Sequence, residues 1–235
     1  GGRSILVGVP PSYPPQRMNG IRVGCFLTPD TATNVYTYPG NVGDRIRQLV
    51  GEYPVDVKGF RTQDKDGLLK DILSMTRKHF EVVRHFLSTE PWDFFQLVEI
   101  GLDRIHHGFW KHHDVLHRQH DPESPYREVV RDYYRLLDHE IGTVLRLLDE
   151  ETLVVVLSDH GARALDGGFC VNEWLMREGY LSIRSAPEGV APLEEVEVDW
   201  SRTQAWSSGG YYARIFLNVR GREPHGTIDP AEYED

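Results

Sequence analysis

Two short segments combine a carboxylate with an imidazole, and these side chains bind divalent metal ions through oxygen and nitrogen. In the first segment Asp103 and His107 lie four residues apart, and in the second Asp159 and His160 are adjacent. Oxygen and nitrogen donors without nearby thiolates suit zinc, manganese or iron and disfavour a closed structural zinc site. These four residues are therefore the candidate metal ligands of the chain.

The spacing within each segment sets a condition on local structure. If residues 103–107 begin a helix, Asp103 and His107 share one face and can bind one ion, because positions four apart are neighbours. Asp159 and His160 cannot converge from a regular strand, whose successive side chains point to opposite faces, so a turn at Gly161 is required. Each motif alone is equally compatible with a helix cap or a polar turn.

Both segments follow apolar runs that the sequence predicts to be buried strands, Phe94–Ile100 and Leu153–Leu157. In open parallel sheets, ligands gather beyond the carboxyl ends of the strands. We therefore expect these two strands to be adjacent or nearly so, with their carboxyl ends opening into one crevice. This shared position favours a functional site over two unrelated polar turns.

The remaining pattern alternates strands and helices, which predicts an α/β fold with a mostly parallel sheet and helices on both faces. Charged residues between Lys70 and His85 are expected to form a solvated helix face. Further predicted strands are Ile5–Val9, Ile21–Leu27 and Arg214–Val219. Short helices are predicted around Ile46–Val50 and over Val171–Tyr180. Longer helices are predicted over Asp64–Leu87 and from an N-cap at Ser124-Pro125 to Leu148.

Composition excludes several classes of protein. The chain has 235 residues, 40% of them apolar, which is consistent with one large α/β domain or one domain with an insertion. A net charge of -10 argues against a nucleic-acid surface, and no apolar run is long enough to cross a membrane. Two distant cysteines, Cys25 and Cys170, do not form a disulfide framework and favour a cytoplasmic setting. The oligomeric state is not indicated.

Several motifs resemble the alkaline phosphatase superfamily, and more closely its type I phosphodiesterase and nucleotide pyrophosphatase branch. They are Asp103-Arg104-Ile105-His106-His107, Ser158-Asp159-His160-Gly161 and Asn218-Val219-Arg220-Gly221-Arg222-Glu223-Pro224. The resemblance implies a three-layer sandwich, here partial, and hydrolysis of small phosphorylated substrates with two divalent metal ions, zinc or manganese. It assigns Asp103 and His107 to one metal, with Asp159 and His160 completing the other.

The same resemblance implies parts that this chain does not contain. The family's Thr or Ser nucleophile is expected upstream of residue 1, and a third metal-binding histidine beyond Asp235. The setting of His225 does not resemble that ligand, and Ser12, Thr28 and Thr31 lie in Pro-rich loops better explained as turns. Five other histidines are expected to be mostly solvated: His106, His112, His113, His117 and His120.

We therefore expect residues 1–235 to be an internal fragment of one phosphodiesterase domain, with surface insertions near 28–62 and 185–213. On its own, such a fragment should bind metal weakly, so that its sites can be empty, and should not turn over substrate. Two alternatives stay open: a phosphomutase of the same superfamily, and a degenerate binding module without catalysis. The missing nucleophile favours the second alternative, whereas the presence of all four expected ligands argues against it.

Overall fold

The computed structural model describes residues 1–210 and 212–233 and divides into two compact units, Gly1–Ala164 and Leu165–Asp235. The first unit contains a small sheet and four helices. In chain order its elements are β1 (Ser4–Val7), β2 (Gly20–Val23), β3 (Thr37–Tyr38), α1 (Val42–Val50), α2 (Lys65–Thr89), β4 (Phe94–Leu97), α3 (Gly101–His113) and α4 (Val129–Leu145).

The central sheet has the strand order β3-β2-β1-β4, and β1 is parallel to both of its neighbours. Only β3 runs antiparallel, against β2. Ile5 and Val7 of β1 are fully buried, as the alternation of side chains along a strand requires. The predicted mixed α/β class with a mostly parallel sheet is confirmed. β4, predicted as a buried strand, is instead an edge strand, and Phe94 is exposed.

Helix α2 agrees with the predicted helix to within two residues at each end. Its apolar side chains recur at helical spacing, and the Asp64 carboxylate accepts a hydrogen bond from the Gly67 N–H at 2.9 Å, which caps the first turn. One residue that was expected on the solvated face of this helix is buried. His79 is only 4% exposed and lies on the buried face of the helix.

Two apolar cores hold the first unit together. One joins β1 and β2 to α1 and α2, and the other joins α2 to α3 and α4. Phe86 belongs to the first core, whereas Ile105 and Phe109 place the inner face of α3 in the second. Burial of each such side chain stabilises the fold by about 1.5–3 kcal/mol. Helix α2 contributes to both cores and therefore links the sheet to the helix that carries Asp103 and His107.

Two further sequence predictions fail in this unit. Helix α4 begins at Val129 and not after Ser124, whose hydroxyl instead accepts a hydrogen bond from the Tyr126 N–H within a turn. The predicted strand Leu153–Leu157 is not a strand. Its five apolar residues are 44–86% exposed, and its backbone pairs with no other described strand. A strand requires a hydrogen-bonding neighbour, and none is available along this run.

The second unit contains α5 (Val171–Arg177) and an antiparallel hairpin of β5 (Ala205–Ser208) and β6 (Arg214–Leu217). Both α5 and β6 lie within their predicted ranges. Asn218 is buried behind the hairpin, and its Nδ2 lies 2.7–3.0 Å from three backbone carbonyl oxygens. Across the described part of the chain, no helix is both long and apolar enough to span a membrane.

Candidate active site

Asp103 and His107 lie on the first two turns of α3, directly beyond the carboxyl end of β4. The helix begins at Gly101, so the predicted helical spacing is confirmed. Asp103 Oδ1 is 3.6 Å from His107 Nε2, and both side chains are partly exposed to solvent. A carboxylate oxygen and an imidazole nitrogen thus face the same region at the edge of the central sheet. This pair can hold one metal ion between them.

Arg104 fixes the position of the Asp103 carboxylate. Its guanidinium binds Asp56 through two hydrogen bonds, at 2.7 and 2.6 Å, and donates a third to Asp103 Oδ2 at 2.5 Å. The hydrogen bond to Asp56, opposed by burial and aided by both carboxylate charges, raises the pKa of Arg104. The guanidinium also stacks 4.6 Å from the centre of the Phe60 ring. Arg104 therefore anchors Asp103 through Oδ2, and Oδ1 lies toward His107.

A buried ion pair lies beneath the start of α3. Glu99 Oε2 is 2.9 Å from His79 Nδ1, and His79 Nε2 is 2.7 Å from the Pro54 carbonyl oxygen. Both partners of the imidazole are acceptors, so both ring nitrogens carry a proton and His79 is a cation. Burial alone would lower the pKa of His79, but the Glu99 carboxylate outweighs it and the pKa is raised.

The other oxygen of Glu99 caps the helix. Glu99 Oε1 accepts a hydrogen bond from the Gly101 N–H at 2.8 Å and lies 3.2 Å from the Thr76 hydroxyl. Thr76 and Tyr133 hydroxyls are 2.6 Å apart, which connects the cap to α4. Burial opposes ionisation of Glu99, but the His79 charge and these hydrogen bonds lower its pKa. Sequence reasoning missed this network, although Glu99 is the one charged residue in the mostly apolar run Phe94–Ile100.

Asp159 and His160 occupy a different environment. Their side chains are 88% and 65% exposed, and Asp159 Oδ2 lies 3.7 Å from His160 Nε2. His160 Nδ1 is 2.9 Å from the Gly161 carbonyl oxygen, so it carries the proton and donates. That carbonyl, the Asp159 charge and, more weakly, the Asp103 charge raise the pKa of His160. The influence of Asp103 indicates that the two segments lie within electrostatic range of each other.

The donors match the chemistry of a two-metal site, but they are not gathered into complete coordination shells. Each pair offers one carboxylate and one imidazole, the oxygen and nitrogen set expected for zinc or manganese. Within residues 1–210 and 212–233, no group of three or more His, Cys, Asp or Glu side chains is close enough together to hold an ion. The residue types therefore match such metals, and each Asp and His pair offers two candidate ligands.

The expectation that these five histidines are mostly solvated is wrong, because His106, His112, His117 and His120 are partly buried. His106 packs against Trp110 and Tyr134, and burial lowers its pKa. His112 is half-buried, with Nδ1 2.8 Å from the Ser124 hydroxyl. His113 is exposed, as predicted.

The remaining candidate residues have simpler settings. Ser12 and Thr28 are buried, and the Thr31 hydroxyl donates to the Tyr53 carbonyl oxygen at 2.7 Å. His225 is exposed in the second unit. Both cysteines are free thiols, Cys25 buried and Cys170 exposed.

The chain combines a mostly parallel central sheet with Asp and His pairs that follow β4 and the run 153–157. The model of the type I phosphodiesterase / nucleotide pyrophosphatase family matches residues 9–235, and the chain belongs to that family. Searches of curated proteins and of solved structures gave no significant match. The predicted superfamily and branch are confirmed, and membership indicates an enzyme that hydrolyses phosphate esters.

Proposed function

We propose that this protein is a metal-dependent phosphodiesterase acting on small phosphorylated substrates, with Asp103, His107, Asp159 and His160 as ligands of two divalent ions. The observation that supports it best is the Asp103–His107 pair, oriented on one helix face at the carboxyl edge of the sheet. Ligands of parallel α/β proteins bind at such edges. The charge of Asp103 also reaches His160, which supports a shared site.

In this proposal some residues bind the metal ions and others orient those ligands. Asp103 and His107 hold one ion, Asp159 and His160 the other, and zinc or manganese would supply Lewis-acid stabilisation of the phosphoryl oxygens and activation of a nucleophile. Arg104 orients Asp103 and leaves Oδ1 free to bind, because its own hydrogen bond occupies Oδ2. Phe60 packs 5.2 Å from the His107 ring and restricts its rotation.

We further propose that part of this site comes from polypeptide outside residues 1–235. The exposed apolar run Leu153–Leu157 supports this, because a strand of that composition is stable only when paired and covered. β4 is also an edge strand, so a further strand can be added beside it. The nucleophile and the remaining metal ligands would then lie in that polypeptide, and residues 1–235 alone would bind metal weakly and be inactive.

The proposal is tested by metal analysis and hydrolysis of a chromogenic phosphodiester by the full-length protein. We expect about two divalent ions per chain. In the double variant Asp159→Ala/His160→Ala, metal content and turnover should fall together. The double variant His120→Ala/Asp121→Ala removes another adjacent His and Asp pair, outside the proposed site, and should retain both properties. Full activity of the 159/160 variant would contradict the assignment.

A second assay separates hydrolysis from a phosphomutase reaction. With a phosphosugar as substrate, a hydrolase releases inorganic phosphate, whereas a mutase returns an isomer that retains it. We expect release. Retention of phosphate in an isomerised product would assign the metals to transfer chemistry and overturn the hydrolase proposal.

A further inference from the structure

We propose that Glu99 is a positioning residue for the metal site: its carboxylate fixes the first turn of α3, and thereby Asp103 and His107, while His79 balances its charge. The inference rests on the proposed function, because it takes Asp103 and His107 as metal ligands. Glu99 itself is not a ligand in this account. It acts through the helix on which the ligands lie.

The start of α3 depends on Glu99 for a cap. The residue at the N-cap position, Ile100, has no side chain able to accept a hydrogen bond, and the preceding Glu99 replaces it by accepting from the Gly101 N–H. A carboxylate at this end also interacts favourably with the helix dipole. Asp103 follows two residues after Gly101, so a shift of the first turn moves the Asp103 carboxylate directly.

The cap is ionised because His79 is fixed opposite it. His79 is held from both sides, by Glu99 and by the Pro54 carbonyl oxygen, and is therefore a buried cation. The Glu99 side chain is only 10% exposed. An isolated carboxylate at this depth would be strongly unfavourable, whereas a hydrogen-bonded ion pair compensates for the lost hydration.

Gly101 is packed closely against the groups that form the cap. A Cβ atom at residue 101 would overlap the Tyr133 hydroxyl and come within 2.7 Å of Thr76 Oγ1 and 2.6 Å of Glu99 Oε1. Three helices thus meet at one carboxylate: α2 through Thr76 and His79, α3 through Gly101, and α4 through Tyr133. All these partners occupy the oxygens of Glu99, which leaves neither oxygen directed at a metal ion.

Substitutions at Glu99 distinguish the effect of the helix cap from the effect of the negative charge. Glu99→Ala removes both, Glu99→Gln keeps an oxygen for the Gly101 N–H, and Glu99→Asp keeps the charge but shortens its reach. Glu140→Ala is the matched control, because Glu140 is also 10% exposed and pairs with Arg84 between α2 and α4, away from the start of α3. The readouts are hydrogen exchange over residues 101–103 and Zn²⁺ or Mn²⁺ titration of the full-length protein.

We expect Glu99→Ala and Glu99→Asp to accelerate exchange at residues 101–103, and Glu99→Ala to weaken metal binding about 10- to 100-fold, the range found when partners of metal ligands are removed. Glu99→Gln should stay within about threefold of wild type, on the same scale. Glu140→Ala should lower stability without selective loss of metal affinity. If Glu99→Ala does not fold, hydrogen exchange at residues 101–103 in Glu99→Asp is compared with that in Glu99→Gln, and faster exchange in Glu99→Asp supports the inference.

Equal losses of metal affinity in the Glu99→Ala and Glu140→Ala variants, or unchanged exchange at residues 101–103 in the capless variants, would overturn the inference. Failure of the proposed function has a different signature. In that case the wild-type protein binds no metal, or Asp103→Ala binds it as well as wild type does. Hydrogen exchange at residues 101–103 then tests only the role of Glu99 as a helix cap.

Discussion

The two Asp and His pairs resemble each other in sequence but differ in how the surrounding protein holds them. Asp103 and His107 stand on a helix whose start is capped by a buried carboxylate and whose Asp103 is bound by Arg104. Asp159 and His160 follow an exposed, irregular run, and their contacts are with each other and with neighbouring backbone. The first half of the proposed site is therefore pre-organised, whereas the second depends on further interactions for its order.

This difference indicates where the folding energy of the site is concentrated. Changes around α3 should lower the stability of the protein, because they disturb buried and hydrogen-bonded groups. Changes at residues 159–161 should leave stability unchanged and act only on metal binding.

The largest expected effect is that of Arg104→Ala. It leaves two carboxylates, Asp56 and Asp103, side by side without their cation in a site where the guanidinium is only 11% exposed. Loss of one partner of a buried pair costs about 3–5 kcal/mol, and partial exposure of the carboxylates reduces this to about 3 kcal/mol here. The exposed Arg131→Ala should change the free energy of unfolding by no more than about 0.5 kcal/mol. Urea denaturation of both variants provides the comparison, and equal effects would contradict it.

Gly101→Ala should have the next largest effect. The new methyl group would collide with the network formed by Glu99, Thr76 and Tyr133, and overpacking of this kind costs about 1–3 kcal/mol. The matched change Gly161→Ala meets no atom within 4 Å. Thermal unfolding should therefore show a lower midpoint for the first variant and an unchanged one for the second. A destabilised Gly161→Ala would show that the 159–161 segment is packed.

The buried ion pair predicts a pH dependence of stability. His79 has a raised pKa, so its contribution is complete below the unfolded value of about 6.5 and is lost as pH rises through the folded value. Glu99 has a lowered pKa, so its contribution is complete above about 4.3 and is lost as pH falls through the folded value. The other ionisable groups that act on the pair are Asp56, Tyr53 and Tyr133.

Unfolding midpoints measured across pH for wild type and Glu99→Gln test this expectation. The difference between the two proteins should be largest between about pH 4.5 and 6.5 and should shrink on either side. His113→Gln provides the contrast, because His113 is exposed, and its profile should follow that of wild type. A constant difference between wild type and Glu99→Gln at all pH values would mean that His79 is not charged in the folded state.

The smallest expected effect on stability is that of Asp159→Asn. The carboxylate is 88% exposed, so the unfolding curve should coincide with that of wild type. Metal content of the full-length protein should nevertheless fall by about one of its two ions. Loss of stability without loss of metal would assign Asp159 a structural role.

The success of sequence prediction followed how local the determining interactions were. Helix α2 was predictable because its apolar spacing and the Asp64 cap lie within the helix itself. The helical Asp103–His107 pair was predictable for the same reason. The run Leu153–Leu157 was assigned as a strand from its composition alone, but a strand also needs a neighbour, which composition does not supply.

The network around Glu99 shows the limit of reasoning from local patterns. His79 and Glu99 are twenty residues apart, and only the packing of α2 against α3 brings them into contact. Each looks like a solvated residue when taken singly. A partial signal exists, because His79 falls on the apolar stripe of α2 between Met75 and Val83, and Glu99 lies in the mostly apolar run Phe94–Ile100. Two ionisable residues at positions predicted to be buried could have been interpreted as partners in an ion pair.

Anomalous diffraction from crystals of the full-length protein with Zn²⁺ or Mn²⁺ tests the central claim most directly. The account predicts two peaks about 3.5–4 Å apart, one bound by Asp103 and His107 and the other by Asp159 and His160, with ligand distances near 2.0–2.2 Å. A single peak, peaks bound by other residues, or two peaks too far apart to share one phosphoryl group would contradict it.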